Sequence, residues 1–106
     1  MIELLLAATL QAEVARYPDA EYQAVTWLER PMIEMPAKAL SNDQSGYVVV
    51  RCLFERQRAT DCVLLEESPG DVGFGVAALR GVATGVAAPD VEGHRVMRFV
   101  FRIAPL

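Results

Sequence analysis

The sequence has 106 residues, of which 53% are apolar and 23% charged, and its formal net charge is −4. This length supports one domain, and the apolar fraction excludes a disordered chain, which would be poorer in large apolar residues. The acidic balance disfavours nucleic acid and anionic membrane surfaces as partners, because phosphate binding needs a concentrated basic surface.

Residues 1–16 permit two interpretations. The apolar run 4–10 fits the core of a short secretory signal peptide, but Glu3 stands where a positive charge is expected. The alternative is an amphipathic helix with its polar residues on one face. No apolar run in the sequence reaches the roughly 18 to 20 residues that span a bilayer as a helix, so no membrane span is expected.

Residues 17–35 are predicted to form a connecting arm. Pro18 ends any helix before it, and Pro31 ends any helix that leads up to it, since proline disfavours helical geometry in the preceding residue. The stretch between the prolines, 20–30, forms either a short helix or an extended segment. Trp27 is expected to anchor this arm on the folded domain by packing.

Residues 36–106 are predicted to form the folded domain, beginning with a short helix at 37–40. A strand at 47–56 and a second at 60–67 come next, and the polar segment between them is short enough to force an antiparallel hairpin. The first strand places four side chains on one face: Val48, Val50, Cys52 and Phe54.

The two cysteines, Cys52 and Cys62, fall on the two strands of this hairpin. If the turn centres on Gln57, residues whose numbers sum to 114 face one another, and this register sets the cysteines directly opposite. Opposed residues of an antiparallel pair lie close to the distance that a disulfide needs. The alternative is two reduced core cysteines, as in a cytosolic protein.

The segment 73–83 is predicted to be a helix that ends before Gly85. Its apolar residues recur every four positions, which gives one buried stripe: Phe74, Ala78 and Val82. The last strand is predicted at 94–104, with alternating side chains. Met97, Phe99, Phe101 and Ile103 share one face, and Val96, Arg98, Val100 and Arg102 share the other.

This order of elements predicts a two-layer α+β fold. The three strands form an antiparallel or mixed sheet in the order 2-1-3, with the helices on one face. The last strand then lies at an edge of the sheet, where a long unpaired strand is an aggregation hazard unless something pairs with it.

The run from Trp27 to Ile103 resembles the C-terminal domain of TonB, the energy-transducing protein of Gram-negative envelopes, in the branch with a cysteine in each hairpin strand. The matching pieces, in the same order, are Trp27-Leu28-Glu29-Arg30-Pro31, Pro36-Ala37-Lys38-Ala39-Leu40, Cys52 and Cys62, Glu66-Glu67-Ser68-Pro69, Gly73-Phe74-Gly75 and Ala77-Ala78-Leu79. The sequence shows neither a membrane anchor nor a proline-rich spacer. We therefore expect a free-standing relative that keeps the fold but does not transduce energy.

The resemblance implies a periplasmic protein that captures a short segment of a partner, such as an outer-membrane receptor, as an added strand beside its last strand. The same resemblance implies that this capture is linked to TonB-dependent transport. An oxidising periplasm also favours the disulfide between Cys52 and Cys62. The expected partner-binding residues are Arg95, Val96, Met97, Arg98, Phe99, Val100, Phe101 and Arg102.

An enzyme is the less favoured class, because no nucleophile is paired with a base. His94 is the only histidine, and the adjacent Glu66 and Glu67 are expected to point to opposite faces of their strand. No catalytic residue, cofactor or metal site is therefore expected. The remaining alternative is a non-catalytic structural domain, or a homodimer in which a second copy occupies the edge strand.

Overall fold

In the computed structural model, residues 25–103 are described. The elements in chain order are β1 (Trp27–Glu29), α1 (Ala37–Ser41), β2 (Gly46–Glu55), β3 (Arg58–Ser68), α2 (Phe74–Val82), β4 (Val86–Ala87) and β5 (Gly93–Phe101). The predictions for residues 1–16 and for the first part of the arm lie outside the described residues. Within 25–103, neither helix has the length and apolar character needed to cross a bilayer.

The three long strands form one sheet in the order β3-β2-β5, and both pairings are antiparallel. The short strands β1 and β4 form a separate antiparallel pair, which the sequence did not predict. Strands of two and three residues are too short to show an alternation. The predicted α+β class, with sheets of antiparallel strands and two helices, is confirmed.

The core lies between one face of the long sheet and the layer that contains α1 and α2. We call this sheet side the helix face and the opposite side the open face. The four β2 residues predicted to share a face are all fully buried, and so are the three residues of the α2 stripe: Val48, Val50, Cys52, Phe54, Phe74, Ala78 and Val82. Both predicted patterns are confirmed, because burial on one side selects apolar side chains at the period of each element.

The β2–β3 hairpin turns on only two residues, Arg56 and Gln57, which both have positive φ values of 53° and 69°. Phe54 therefore pairs with Ala59, so the predicted uniform register is wrong near the turn. One extra residue of β3 opposite Cys52 forms a β-bulge, with Asp61 at a φ of 45°. Immediately beyond this bulge the pairing returns to the predicted register.

A disulfide joins Cys52 to Cys62, whose Cα atoms are 4.0 Å apart, and the predicted bridge is confirmed. Cys52 is fully buried in the cluster that also holds Phe54 and Val82, and Cys62 packs at the margin of this cluster. The bridge thus fixes β2 and β3 to each other on the helix face.

Reduction of this bridge is expected to lower the free energy of unfolding by roughly 2 to 3 kcal/mol, because a short cross-linked loop restricts the unfolded chain. Urea denaturation with and without dithiothreitol measures the loss. The matched control is the double variant Cys52→Ala/Cys62→Ala, whose stability should not respond to the reductant. Two reactive thiols in denatured wild-type protein that was never reduced would contradict the prediction.

The side chains of Glu66 and Glu67 point to opposite faces of β3, as predicted. The Tyr47 hydroxyl donates a hydrogen bond to the Glu66 carboxylate, and the Gly75 backbone N–H donates to Glu67 Oε2 at 2.9 Å. Gly73 is the N-terminal cap residue of α2 and has no side chain that could accept a hydrogen bond from the helix. Glu67 therefore satisfies one of the N–H groups left over in the first turn of α2 and places negative charge at the positive end of the helix.

The described part of the arm, residues 25–35, contains β1 and no helix, and it packs against α2 and the segment that follows α2. Trp27 contacts the Phe54 ring edge-on, with ring centroids 5.8 Å apart, so its predicted anchoring role is confirmed. The Met32 backbone N–H donates to Thr84 Oγ1 at 2.8 Å. A Cβ atom at Gly81 would lie 2.6 Å from the Met32 carbonyl oxygen, so the absence of a side chain on α2 lets the arm approach closely.

Candidate functional site

β5 lies at a margin of the described sheet. It pairs with β2 without a register shift over nine residues, from Gly46 opposite Phe101 to Phe54 opposite Gly93. Within residues 25–103, no strand pairs with the other side of β5. We call this side, turned away from β2 along residues 98–101, the β5 margin.

The opposite margin of the sheet, formed by β3, is less regular. Its pairing with β2 shifts between Val49 and Val50 and again between Arg51 and Leu53. Bulges of this kind twist a strand and disfavour the addition of another strand beside it. The β5 margin is therefore the more regular of the two margins in the described sheet.

The predicted partner-binding residues divide between the two faces of β5. Met97 and Phe101 are buried in the core on the helix face, so a partner beside β5 could reach them only through their backbone. Phe99 is half-buried on the same face. Val100, on the open face, is 51% exposed, and Arg98 is also exposed. The set thus contains both core residues and accessible ones.

Basic residues concentrate along β5, although the whole chain is acidic. Arg95, Arg98 and Arg102 lie within eight residues that contain no acidic side chain. Arg51, which is exposed, pairs in register with Val96 on the neighbouring strand. The chain therefore places a positive strip along one margin of the sheet, where it favours an acidic neighbour.

Arg98 is held by an interaction that crosses all three long strands. Its guanidinium carbon lies 4.7 Å from the centre of the Tyr47 ring on β2, and the Tyr47 hydroxyl donates to Glu66 on β3. A guanidinium group over an aromatic ring is attracted to its negative face. Sequence reasoning missed this cluster, because its members come together only when the strands pair.

A pocket of about 380 Å³ lies between the arm and the helix face of β5. Its lining residues are Val25, Trp27, Arg30, Pro31, Ile33 and Phe99. Five of the six are apolar, and Arg30 is the single charged member. Sequence reasoning missed this pocket, since the arm and Phe99 are separated by more than sixty residues of chain.

A larger groove of about 900 Å³ lies between the arm, α1 and α2. Its lining residues come from the arm, α1, α2 and the segments beside them, and Met32, Leu40 and Val76 are its most exposed large apolar side chains. None of its described lining residues belongs to the long sheet. It is therefore a suitable comparison surface for experiments on β5.

The fold and the site define a small α+β domain with a disulfide-linked hairpin and a regular, basic strand at one margin of its sheet. Comparison of the sequence with models of known protein families and with curated proteins gave no match. The resemblance to TonB domains thus stays a prediction that depends on the matching residues of the arm, the hairpin and α2.

Proposed function

We propose that the chain is a TonB-like, non-catalytic interaction module that binds an extended segment of a partner protein as an added strand at the β5 margin. The observation that carries this proposal is the uninterrupted nine-residue pairing of β5 with β2 at the margin of the described sheet. In such binding, backbone hydrogen bonds supply affinity and the alternation of side chains supplies register.

Two further features support the TonB-like assignment. The order β3-β2-β5, with α2 in the connection between the outer strands, agrees with the fold that the resemblance implies. The Cys52–Cys62 disulfide favours an oxidising compartment such as the periplasm, because cytosolic thiols are kept reduced. An outer-membrane receptor is accordingly the proposed kind of partner, with TonB-dependent transport as the proposed process.

The charges along β5 specify the chemistry of the segment. Arg98 and Arg51 lie on the open face, and neighbouring side chains of an added strand would share that face. Like charges across a pair of strands repel, whereas opposite charges attract and fix the register. We therefore expect the captured segment to carry at least one acidic residue on its open-face side.

Substitution of Val100 by proline is expected to weaken binding of a captured peptide at least about tenfold, because proline lacks the N–H donor and disturbs strand pairing. The ligands would be short peptides selected on the immobilised full chain from a random displayed library. Their affinities for the wild type and the variants are measured by fluorescence anisotropy. Reversal of charge by Arg98→Glu should likewise weaken acidic peptides.

Two variants of similar chemistry away from β5 control this experiment. Val63→Pro changes a valine that is 42% exposed on the opposite margin, and Arg80→Glu reverses a charge beside the large groove. Both should keep peptide affinity within about threefold of wild type if their circular dichroism spectra are native. Equal binding by Val100→Pro and Val63→Pro would refute strand addition at β5. A dimer that dissociates only in Val100→Pro would favour self-occupation of the edge.

A further inference from the structure

We infer that the arm and Phe99 form a side-chain pocket that selects one bulky apolar residue of the captured strand. The inference rests on the proposed strand capture and adds a specificity to it. The pocket of 380 Å³ beside the β5 margin is the feature that supports it.

The layer on the helix face has two parts. α2 packs against β3 and β2, whereas the arm faces Phe99 of β5 across the pocket. The approach of the Met32 backbone to Gly81 holds the arm against α2 on that side. Among the described lining residues of the pocket, none belongs to α2, and the one wall from the long sheet is Phe99 on the marginal strand β5. We therefore place the pocket beside the β5 margin.

A strand added at this margin would place one residue opposite Phe99. Directly opposed residues in a sheet point to the same face, with Cβ atoms about 4.5 to 5.5 Å apart. That residue would consequently point to the helix face, under the arm and into the pocket. Its two chain neighbours would point to the open face, opposite Arg98 and Val100.

The pocket chemistry suits an uncharged, bulky side chain. Its volume lies within the range of about 300 to 1,000 Å³ in which protein pockets hold small ligands. Trp27, Ile33 and Phe99 supply apolar walls, and Arg30 disfavours a cationic guest. Together with the arginines on β5, this specifies the occupant as an extended peptide in which a branched aliphatic or aromatic residue is next to an acidic residue.

The test uses the peptide selected on the full chain, with one residue at a time replaced by Ala, Lys, Leu or Phe. One position should prefer Leu or Phe over Ala and Lys by at least about tenfold, the discrimination of an apolar pocket. The variant Val25→Trp fills the pocket and should reduce this preference to less than about threefold. Leu28→Trp places the same side chain on the arm at a residue that is 61% exposed and does not line the pocket, and should keep the preference.

A second variant keeps the test informative if Val25→Trp does not fold. Phe99→Leu widens the pocket and should move the preference from Leu towards Phe or Trp guests. The register is measured with Val100→Cys and with peptides whose cysteine is supplied as its 2-pyridyl disulfide. When that cysteine lies one residue from the apolar position, the thiolate of the variant should attack it, displace 2-thiopyridone and form a mixed disulfide. A cysteine at the apolar position itself should not react.

The outcomes distinguish failure of strand capture from failure of the pocket inference. If no peptide is selected and none is trapped by Val100→Cys, strand capture is wrong and the pocket inference fails with it. If peptides are trapped but every guest residue binds equally well opposite Phe99, strand capture stands and the pocket inference is overturned. A preference that Val25→Trp removes and Leu28→Trp keeps would establish both.

Discussion

Replacement of Phe74 by alanine is expected to lower the free energy of unfolding by about 3 to 5 kcal/mol, the usual cost of removing a buried aromatic side chain. Phe74 is fully buried at the start of α2, and its ring stacks on Phe101 of β5 with centroids 4.4 Å apart. The ring thus joins the helix layer to the end of the strand that forms the proposed site. Its loss would remove this contact and leave a cavity between the two layers.

Urea denaturation followed by circular dichroism measures this loss. The matched control is Val76→Ala, two residues along the same helix, where the side chain is 59% exposed and the change should stay within about 0.5 kcal/mol. A loss below about 1 kcal/mol for Phe74→Ala would mean that the ring contributes little to the core, contrary to its burial.

The long elements could be predicted because each turns a periodic apolar side to the core, although Val49 on the other face of β2 is fully buried too. Every second residue of β2 and β5 faces the helices, and in α2 the residues that face the sheet recur every four positions. The turn between β2 and β3 could not be predicted, since Arg56 and Gln57 adopt positive φ without the Asn-Gly or Asp-Gly pair typical of such turns. The Asp61 bulge had no sequence signal either, although it sets the cysteines opposite each other.

The outward-facing residues of β5 could be predicted from the sequence, but the contacts between β5 and distant segments could not. The alternation of β5 predicted which of its residues face outwards, including Arg98 and Val100. The pocket beside Phe99 depends on where the arm lies, and the arm is placed by Trp27 on Phe54 and by Met32 against Gly81. Such contacts between distant segments depend on packing, about which local periodicity carries no information.

The charge distribution shows why net charge alone describes this protein incompletely. The acidic total disfavours nucleic acid, yet the eight residues from Arg95 to Arg102 carry three arginines and no acidic side chain. An extended acidic segment matches this narrow strip, whereas a duplex would need a broad basic surface. The local charge is therefore the reason for proposing an acidic peptide as the partner, which the whole-chain charge alone does not suggest.

Replacement of Gly46 by alanine is expected to cost about 3 kcal/mol or more, at the upper end of the effects of overpacking. Gly46 begins β2 and pairs with Phe101 on β5. A Cβ atom there would overlap the Ser68 carbonyl oxygen and lie 2.6 Å from Cε2 of Phe74. Because the Ser68 oxygen belongs to the backbone, no change of rotamer can relieve the overlap, and β2 must move relative to β3.

Gly70→Ala is the matched control for this variant, because a Cβ atom at Gly70 meets no atom within 4 Å. Its stability should stay within about 0.5 kcal/mol of wild type in the same urea denaturation. If both glycine variants were equally stable, the close approach of Gly46 to the Ser68 backbone would be contradicted. Since the same displacement would shift β2 against β5, Gly46→Ala should also bind the selected peptides less tightly, whereas Gly70→Ala should bind them as the wild type does.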